Sequence, residues 1–236
     1  MSPLVGHNGS MSSRTTDVEI TIGLRWAVIG IVLVAIATAL GILIAVEVDP
    51  IDVDVWWNGF VNLFAPVLSD ISLFMNFVGG GWFATYLVPL AAAGLLVLAR
   101  RPWSGLMFLV ASAASAAVVQ LLKTIFGRAR PEDMLVISDH GSFPSGHTAN
   151  AATIAALAVL LFPRVWVLVV GAAWTVLMAV SRTQVHAHWF SDTVGGVLVG
   201  VGMALVAAAV FTVPLLRERE RSLLPLRERS EDSPAE

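Results

Sequence analysis

The chain has 236 residues, of which 57% are hydrophobic and only 13% are charged, which is the composition of a membrane protein rather than of a soluble domain. Its formal net charge of −3, spread over tails and loops, argues against a nucleic-acid partner. The absence of cysteine excludes disulfides, thiolate nucleophiles and zinc–thiolate sites.

Six apolar stretches are long enough to be membrane helices, judged against the roughly 20 residues that a bilayer core requires. We therefore predict an all-α, polytopic membrane protein with a single bundle of six transmembrane helices. The predicted spans are 24–46, 82–99, 103–126, 147–162, 165–181 and 193–216. Residues 1–23 are predicted to form a polar N-terminal segment, 24–216 the six-span domain, and 217–236 a charged, disordered tail.

The segment between the first two spans has apolar residues at helical spacing from Val53 to Leu68. Trp56 and Trp57 within it fit the aromatic belt of a membrane–water interface. The pattern predicts one helix that lies along the interface, and a short buried helix packed on the bundle is the alternative.

The arginines indicate how the bundle is oriented. If six helices alternate in direction, one side collects Arg14, Arg25, Arg100, Arg101, Arg164 and the five arginines of the tail. Because positive charge accumulates on the cytoplasmic side, we predict that both termini are cytoplasmic. The polar stretches around 123–147 and 181–192 then face the extracytoplasmic side together.

Three polar segments lie at these outward helix ends. KTIFGRARP holds Lys123 and Arg130, SRTQVHAHWFSD holds Arg182, and FPSGHT begins the fourth span. Charged side chains at membrane depth cost about 2.5–3.5 kcal/mol each on insertion scales, so several on one face need a reason beyond packing, and an anionic ligand supplies one. Two guanidiniums and an ammonium can hold a phosphate through charge-assisted hydrogen bonds. We expect the three segments to form one anion-binding pocket.

The segment FPSGHT predicts a helix N-terminus that contributes to this pocket. Ser145 lies where the helix begins, and Gly146 has no side chain to block access to the free backbone N–H groups. A helix start of this form binds oxyanions. We therefore predict that Ser145 and Gly146 bind phosphate.

Two histidines supply the candidate chemistry. His188 and Asp192 are four residues apart, so on one helical face the carboxylate can fix which ring nitrogen carries the proton. An imidazole oriented in this way is a nucleophile, and His147 can donate a proton to the departing oxygen. His188, His147 and Asp192 are therefore the candidate catalytic residues.

The three segments resemble the signatures of the type-2 phosphatidic acid phosphatase superfamily, in the same order. Those signatures are a lysine separated by six residues from Arg-Pro, then Pro-Ser-Gly-His, then Ser-Arg followed by histidine and aspartate. They correspond here to Lys123 with Arg130-Pro131, Pro144-Ser145-Gly146-His147, and Ser181-Arg182 with His188 and Asp192. The close match covers roughly residues 120–195.

The resemblance implies a phosphatase that needs no metal and no other cofactor, and that forms a covalent phosphohistidine. His188 would attack phosphorus, Asp192 would orient it, and His147 would protonate the leaving group. The resemblance also implies that the phosphate is bound by Lys123, Arg130, Ser145, Gly146 and Arg182. The implied partners are the bilayer and a membrane lipid phosphate, and the sequence leaves the oligomeric state open.

Residues outside the signatures have simpler interpretations. Arg128 is predicted to anchor the helix end at the interface. His186 forms an HAH pair with the nucleophile candidate, but no cysteine or dense carboxylate cluster completes a metal site, so we predict that it lies at the rim of the pocket. Gly196 and Gly200 form a small-xxx-small step, which favours packing within the fold over dimerisation.

The substrate class remains open between a polyprenyl diphosphate, phosphatidic acid and phosphatidylglycerol phosphate. The fourth span has about fifteen apolar residues, roughly 22 Å, so its catalytic end is expected below the membrane surface, where a lipid headgroup lies. The alternative function is a phosphate- or phospholipid-binding transporter or sensor without hydrolysis. A vanadate-dependent oxidant shares the anion pocket, but its known members resemble soluble helical proteins.

Overall fold

The computed structural model describes residues 8–47 and 49–231, with side chains from 20 to 221 apart from residue 48. This part of the chain contains nine α-helices and no strand. The helices are α1 (Asn8–Ala45), α2 (Asp52–Asn62), α3 (Ala65–Gly79), α4 (Val88–Leu98), α5 (Pro102–Phe126), α6 (Gly146–Leu161), α7 (Val165–Gln184), α8 (Phe190–Val210) and α9 (Thr212–Glu231). A π-helical segment, Phe83–Leu87, leads directly into α4.

Four helical segments are long and apolar enough to cross a membrane: Ile20–Ala45, Pro102–Phe126, Val165–Gln184 and Phe190–Val210. They coincide with the first, third, fifth and sixth predicted spans. The second and fourth predicted spans correspond to shorter apolar helices, Phe83–Leu98 and Gly146–Leu161. The all-helical, multi-pass character predicted from the sequence is confirmed, whereas the number of six spans stays a prediction.

The segment between the first two spans differs from the single helix predicted for it. It forms two helices, α2 and α3, which are bent by 106° relative to each other. Pro66 lies in the first turn of α3, and its ring would clash with the carbonyl of Asn62 if α2 continued through it. Both helices pack on α7, and α2 also packs on α8. This packing places the bent pair over one end of the bundle.

Helix α8 lies at the centre of the bundle, where it packs against α1, α5, α6 and α7. Its contact with α6 depends on glycine: a Cβ atom at Gly196 would lie 2.6 Å from the carbonyl oxygen of Ser145, and one at Gly200 2.3 Å from that of Ala149. The small-residue step therefore packs within the fold, as predicted. It brings the N-termini of α6 and α8 side by side, which are the starts of two of the three polar segments.

The C-terminal segment also differs from the prediction, because α9 continues to Glu231 where we expected a disordered tail. The carboxylate of Glu218 is 6% exposed and accepts hydrogen bonds from the backbone N–H of Trp103 and the hydroxyl of Ser104. These contacts attach α9 to the N-terminus of α5, where a negative charge is favourable. Residues 1–7 and 232–236 of the predicted polar termini lie outside the described residues, and the predicted domain boundaries stay predictions.

We predict that Gly200→Ala destabilises the protein by about 1–3 kcal/mol, because its Cβ would meet backbone of α6 that cannot rotate away. The measurement is the thermal unfolding midpoint of the detergent-purified protein. Gly94→Ala is the matched control, since a Cβ at Gly94 meets nothing within 4 Å. Equal midpoints for the two variants would contradict the close crossing of α6 and α8.

Candidate active site

The three polar segments meet around one cavity of about 310 Å³ at the end of the bundle covered by α2 and α3. Lys123 comes from the last turn of α5, His147 from the first turn of α6 and Arg182 from the last turn of α7. His188 lies in the short turn between α7 and α8. We call this space the polar cavity; its lining includes Lys123, Gly146, His147, Arg182 and His188.

The two ring nitrogens of His188 have opposite neighbours, which favours one tautomer. Nδ1 lies 3.4 Å from Oδ2 of Asp192, and a carboxylate can only accept a hydrogen bond. Nε2 lies 3.3 Å from Nη1 of Arg130, and a guanidinium can only donate one. The proton therefore belongs on Nδ1, and Nε2 keeps its lone pair beside the cations.

Burial keeps this ring neutral. His188 is 2% exposed, and its burial lowers the pKa of His188 to about 4, although the nearby Asp192 acts to raise it. At neutral pH the imidazole is uncharged. An uncharged ring with a free lone pair on Nε2 is the form that a nucleophile requires.

Lys123 and Arg130 both bind Asp139, a residue of the loop between α5 and α6. Asp139 is not among the site residues predicted from the sequence. Nζ of Lys123 and Nη2 of Arg130 donate to the same oxygen, Oδ1 of Asp139, at 2.9 and 2.8 Å. Both cations also donate to the carbonyl oxygen of Gly141, at 3.0 and 2.9 Å. The two predicted phosphate-binding side chains are thus held within reach of one anionic oxygen.

Asn76 of α3 organises the opposite side of the polar cavity. Its side-chain oxygen accepts a hydrogen bond from Nη1 of Arg182, and its backbone carbonyl lies 3.2 Å from Nε2 of His147. Arg182 is only 1% exposed, and its Nε has no hydrogen-bond partner among the described residues. A buried guanidinium N–H without a partner is a donor suited to an anion that enters the cavity.

The sharp end of α3 makes room for His147. A Cβ atom at Gly80 would lie 2.1 Å from Nε2 of His147, so only glycine is compatible with this position of the ring. Gly81 follows with a φ of +58°, a conformation that glycine adopts without strain. Asn76 was not predicted to be a site residue. The run of three glycines that follows it, Gly79 to Gly81, does mark the end of α3.

The backbone of Ser145 is not available to bind phosphate in the way that we predicted. Its backbone N–H donates a hydrogen bond of 2.9 Å to the carbonyl oxygen of Asp192, and the residue is fully buried. Because this N–H is already bonded, it does not point at an anion. Ser145 instead joins the start of α6 to the start of α8, and Gly146 is the member of the pair that lines the polar cavity.

Arg128 is not the interfacial anchor that we predicted. Its Nη1 donates to Oδ1 of Asp192 at 2.6 Å, and its Nη2 donates to Oδ2 of Asp54 at 2.7 Å. Asp54, on α2, is completely buried and also accepts hydrogen bonds from the backbone N–H and the hydroxyl of Ser191. Two buried carboxylates require a cation between them, and Arg128 supplies it. This network fixes Asp192 behind His188.

His186 also differs from the prediction, because it does not belong to the rim of the polar cavity. It is 6% exposed, with Nε2 at 2.7 Å from the side-chain oxygen of Asn62 and Nδ1 at 2.6 Å from Asp133. It thus connects the end of α2 to the loop after α5. Within the described residues, no group of three or more histidine, aspartate or glutamate side chains is arranged to hold a metal ion.

The part of the chain that holds the polar segments matches a known protein family. The model of the PAP2 superfamily matches residues 104–214, a stretch that contains all three polar segments and every side chain of the polar cavity named above. Residues 104–214 therefore resemble the PAP2 superfamily in sequence. The predicted resemblance to type-2 phosphatidic acid phosphatases is confirmed by this match.

Two bacterial phosphatases are similar to parts of this chain. A lipid A 1-phosphatase from Rhizobium johnstonii is 32% identical over 120 residues, 46% of this chain and 48% of that protein. Phosphatidylglycerophosphatase B from Bacillus subtilis is 27% identical over 146 residues, 58% of this chain and 71% of that protein. The chain therefore spans about half the length of the first relative and about 70% of the second.

A solved structure supports the fold. The crystal structure of LpxE from Aquifex aeolicus superposes with a TM-score of 0.59 over 68% of this chain and 97% of that protein. The sequence identity is 22%, so this similarity concerns the fold alone. It supports the helical fold of this chain.

We predict that Arg128→Met lowers the stability by about 3–5 kcal/mol, because it leaves Asp54 and Asp192 buried without a positive charge. The loss is measured by thermal unfolding in detergent. Adding Asp54→Asn to the same chain removes one of the uncompensated charges, so the double variant should regain part of the stability.

Arg25→Met is the matched control, because Arg25 is exposed on α1. It should change the unfolding midpoint little. If Arg128→Met were as stable as Arg25→Met, Arg128 would be an interfacial anchor after all.

Proposed function

We propose that the protein is an integral membrane lipid phosphate phosphatase that works through a phosphohistidine on His188. One observation carries the proposal: His188, with Nδ1 facing Asp192 and Nε2 facing Arg130, lines the same cavity as Lys123, Arg182 and a second histidine. A binding protein needs the cations to hold phosphate, but it has no need of an oriented nucleophile backed by a carboxylate. The arrangement therefore favours hydrolysis over transport or sensing.

In the first step, Nε2 of His188 attacks phosphorus, the N–P bond forms, and the bond from phosphorus to the lipid oxygen breaks. His147 donates a proton to the departing oxygen, so a neutral alcohol leaves from a monoester. Asp192 stabilises the positive charge that develops on the ring of His188, since Nδ1 keeps its proton facing the carboxylate. Arg128 and Asp54 hold that carboxylate in place.

In the second step, a water molecule attacks the phosphohistidine. His147, now neutral, accepts a proton from the water, the N–P bond breaks, and inorganic phosphate is released. Nε2 of His188 regains its lone pair, and His147 is again protonated for the next turnover. The proton balance closes within the cavity without a metal ion or any other cofactor.

The cations stabilise negative charge on the transferred phosphoryl group, which is the main task of a phosphoryl-transfer site. Lys123, Arg130 and Arg182 provide three positive charges, and Nε of Arg182 is the buried donor described above. Gly146 lies at the N-terminus of α6, where the helix dipole favours an anion. Because these groups supply the charge, we propose that divalent metal is not required.

A second cavity supports a lipid as the substrate. An apolar groove of about 770 Å³ lies between α6, α7, the end of α3 and the π-helical segment before α4. It shares Gly79, His147 and Asn150 with the polar cavity, so the two spaces meet at His147. From His147 to Phe162, α6 extends roughly 22 Å along the groove at 1.5 Å per residue. An apolar tail in this groove would place its phosphate beside His147 and His188.

The relatives support the same substrate class, since they carry the names lipid A 1-phosphatase and phosphatidylglycerophosphatase B. We propose a phosphomonoester or diphosphate of a membrane lipid, with phosphatidic acid, phosphatidylglycerol phosphate and polyprenyl diphosphates as the candidates to be tested. Lipid A 1-phosphate is a further candidate substrate, because one relative carries the name lipid A 1-phosphatase.

We also propose that the chain crosses the membrane six times, with the π-helical segment plus α4, and α6, as the two short spans. In this arrangement the α4–α5 and α6–α7 connections, with Arg100, Arg101 and Arg164, lie at the opposite end of the bundle from the polar cavity. The positive-inside rule makes that end cytoplasmic and the polar cavity extracytoplasmic. Both termini are then cytoplasmic, and α2 and α3 cover the outward end of the bundle at the interface.

The experiment is a phosphate-release assay of the detergent-purified protein on these lipid phosphates in the presence of EDTA. We predict release from at least one of them, and a loss of at least about 1,000-fold in kcat/KM for His188→Ala, since this variant lacks the nucleophile. His140→Ala is the matched control, because His140 is an exposed histidine of the loop after α5. It should retain the activity of the unchanged protein.

Strict dependence on added divalent metal would contradict the proposed chemistry. Phosphate binding without hydrolysis of any of the lipids, and equal behaviour of His188→Ala, would instead support a transporter or sensor.

A further inference from the structure

The carboxylate of Asp139 occupies the position in which Lys123 and Arg130 would hold a phosphate oxygen. One of its oxygens accepts hydrogen bonds from both cations, at 2.9 and 2.8 Å. Phosphate and carboxylate oxygens compete for the same donors, because each is an anionic acceptor with similar hydrogen-bond distances. A phosphate that binds Lys123 and Arg130 through these N–H groups must therefore displace Asp139.

The carboxylate can leave without disturbing the cations. Lys123 keeps its hydrogen bond to the carbonyl of Gly141, and Arg130 keeps those to the carbonyls of Gly141 and Asp139. Carbonyl oxygens of the loop thus position the two side chains, while the carboxylate only neutralises them. The side chain of Asp139 is 53% exposed, so it can move towards solvent, whereas those of Lys123 and Arg130 are 4% and 10% exposed.

Asp139 is also ionised in the resting protein. Burial acts to raise its pKa, but the hydrogen bond and the charge of Lys123 outweigh this and hold the pKa of Asp139 below its usual value. The residue is therefore a permanent negative charge beside the cations at neutral pH.

We propose that Asp139 is a displaceable counter-ion of the phosphate site: the phosphate of the substrate displaces it from Lys123 and Arg130, and it returns as inorganic phosphate leaves. Its role in turnover rests on the proposed phosphatase function, whereas its competition with phosphate does not. Because Asp139 must leave before any phosphate binds, it weakens substrate and product binding by the same factor.

Such a competitor benefits an enzyme whose substrate is concentrated in the bilayer. Tighter substrate binding gains nothing once the substrate exceeds KM, whereas tightly held inorganic phosphate would slow product release. A carboxylate that returns to the cations as phosphate departs shortens the time that the product stays bound. Asp139 would thus act on phosphate affinity rather than on the chemical step.

The test measures binding of inorganic phosphate and of orthovanadate to the detergent-purified full chain by titration calorimetry at pH 7.5. Asp139→Asn and Asp139→Ser remove the charge and keep a polar side chain. Each should bind both anions at least about threefold more tightly than the unchanged protein, the factor expected for an ion pair of about 0.7 kcal/mol whose carboxylate is half exposed. Asp139→Glu keeps the carboxylate, so it should bind both anions with the affinity of the unchanged protein.

Glu132→Gln is the matched charge control, because Glu132 is an exposed acid of the same loop and does not line the polar cavity. Its anion affinity should be unchanged, which excludes a general effect of net charge. In a turnover assay, Asp139→Asn should lower KM and the inhibition constant of phosphate by the same factor.

Equal or weaker anion binding by both neutral variants would overturn the proposal and make Asp139 a residue that positions the cations. The proposed function fails separately: if no lipid phosphate is hydrolysed while the neutral variants bind phosphate more tightly, Asp139 is still a counter-ion of a phosphate site. If lipids are hydrolysed but the affinities do not change, the phosphatase function stands and the counter-ion role falls.

Discussion

The structure depends on how charges are compensated at one end of a membrane bundle. Desolvating an ion costs several kcal/mol even after relaxation, so buried charges are expected to have partners of opposite sign. Arg182 is the exception, since its named partner is the neutral side chain of Asn76. Arg128 lies between Asp54 and Asp192, and Lys123 and Arg130 share Asp139. The candidate catalytic residues therefore belong to a connected network of charges. Each charged side chain is held in place by its ion-pair partner.

This network also explains why the two helices before the second span lie over the polar cavity. Helix α2 brings Asp54 to Arg128, and α3 brings Asn76 to Arg182 and His147. Both helices thus supply groups that orient residues of the family signatures. The glycine contacts between α6 and α8 add the second constraint, because they align the helix starts that carry His147 and Asp192. The orientation of the reactive side chains depends on packing throughout the bundle.

The sequence predicted the features that local pattern determines. Apolar runs located the long helices, and the three signatures selected Lys123, Arg130, His147, Arg182, His188 and Asp192, which the structure brings together. It did not predict what depends on contacts distant in the chain. Arg128 was predicted to be an interfacial anchor, because nothing in the sequence shows that it binds Asp54, which lies 74 residues away in the chain. Asp139 and Asn76 lie outside any signature. Pro66 was a local signal for the break between α2 and α3, but regular apolar spacing across it favoured one helix.

The central claim is that Nε2 of His188 attacks phosphorus, and trapping the intermediate tests it most directly. The detergent-purified protein is mixed with lipid phosphate, quenched in alkali, where phosphohistidine is stable, and analysed by peptide mass spectrometry. The account predicts phosphate on His188, and no phosphorylated peptide from His188→Ala. Phosphate on another residue, or lipid hydrolysis at full rate by His188→Ala, would contradict it.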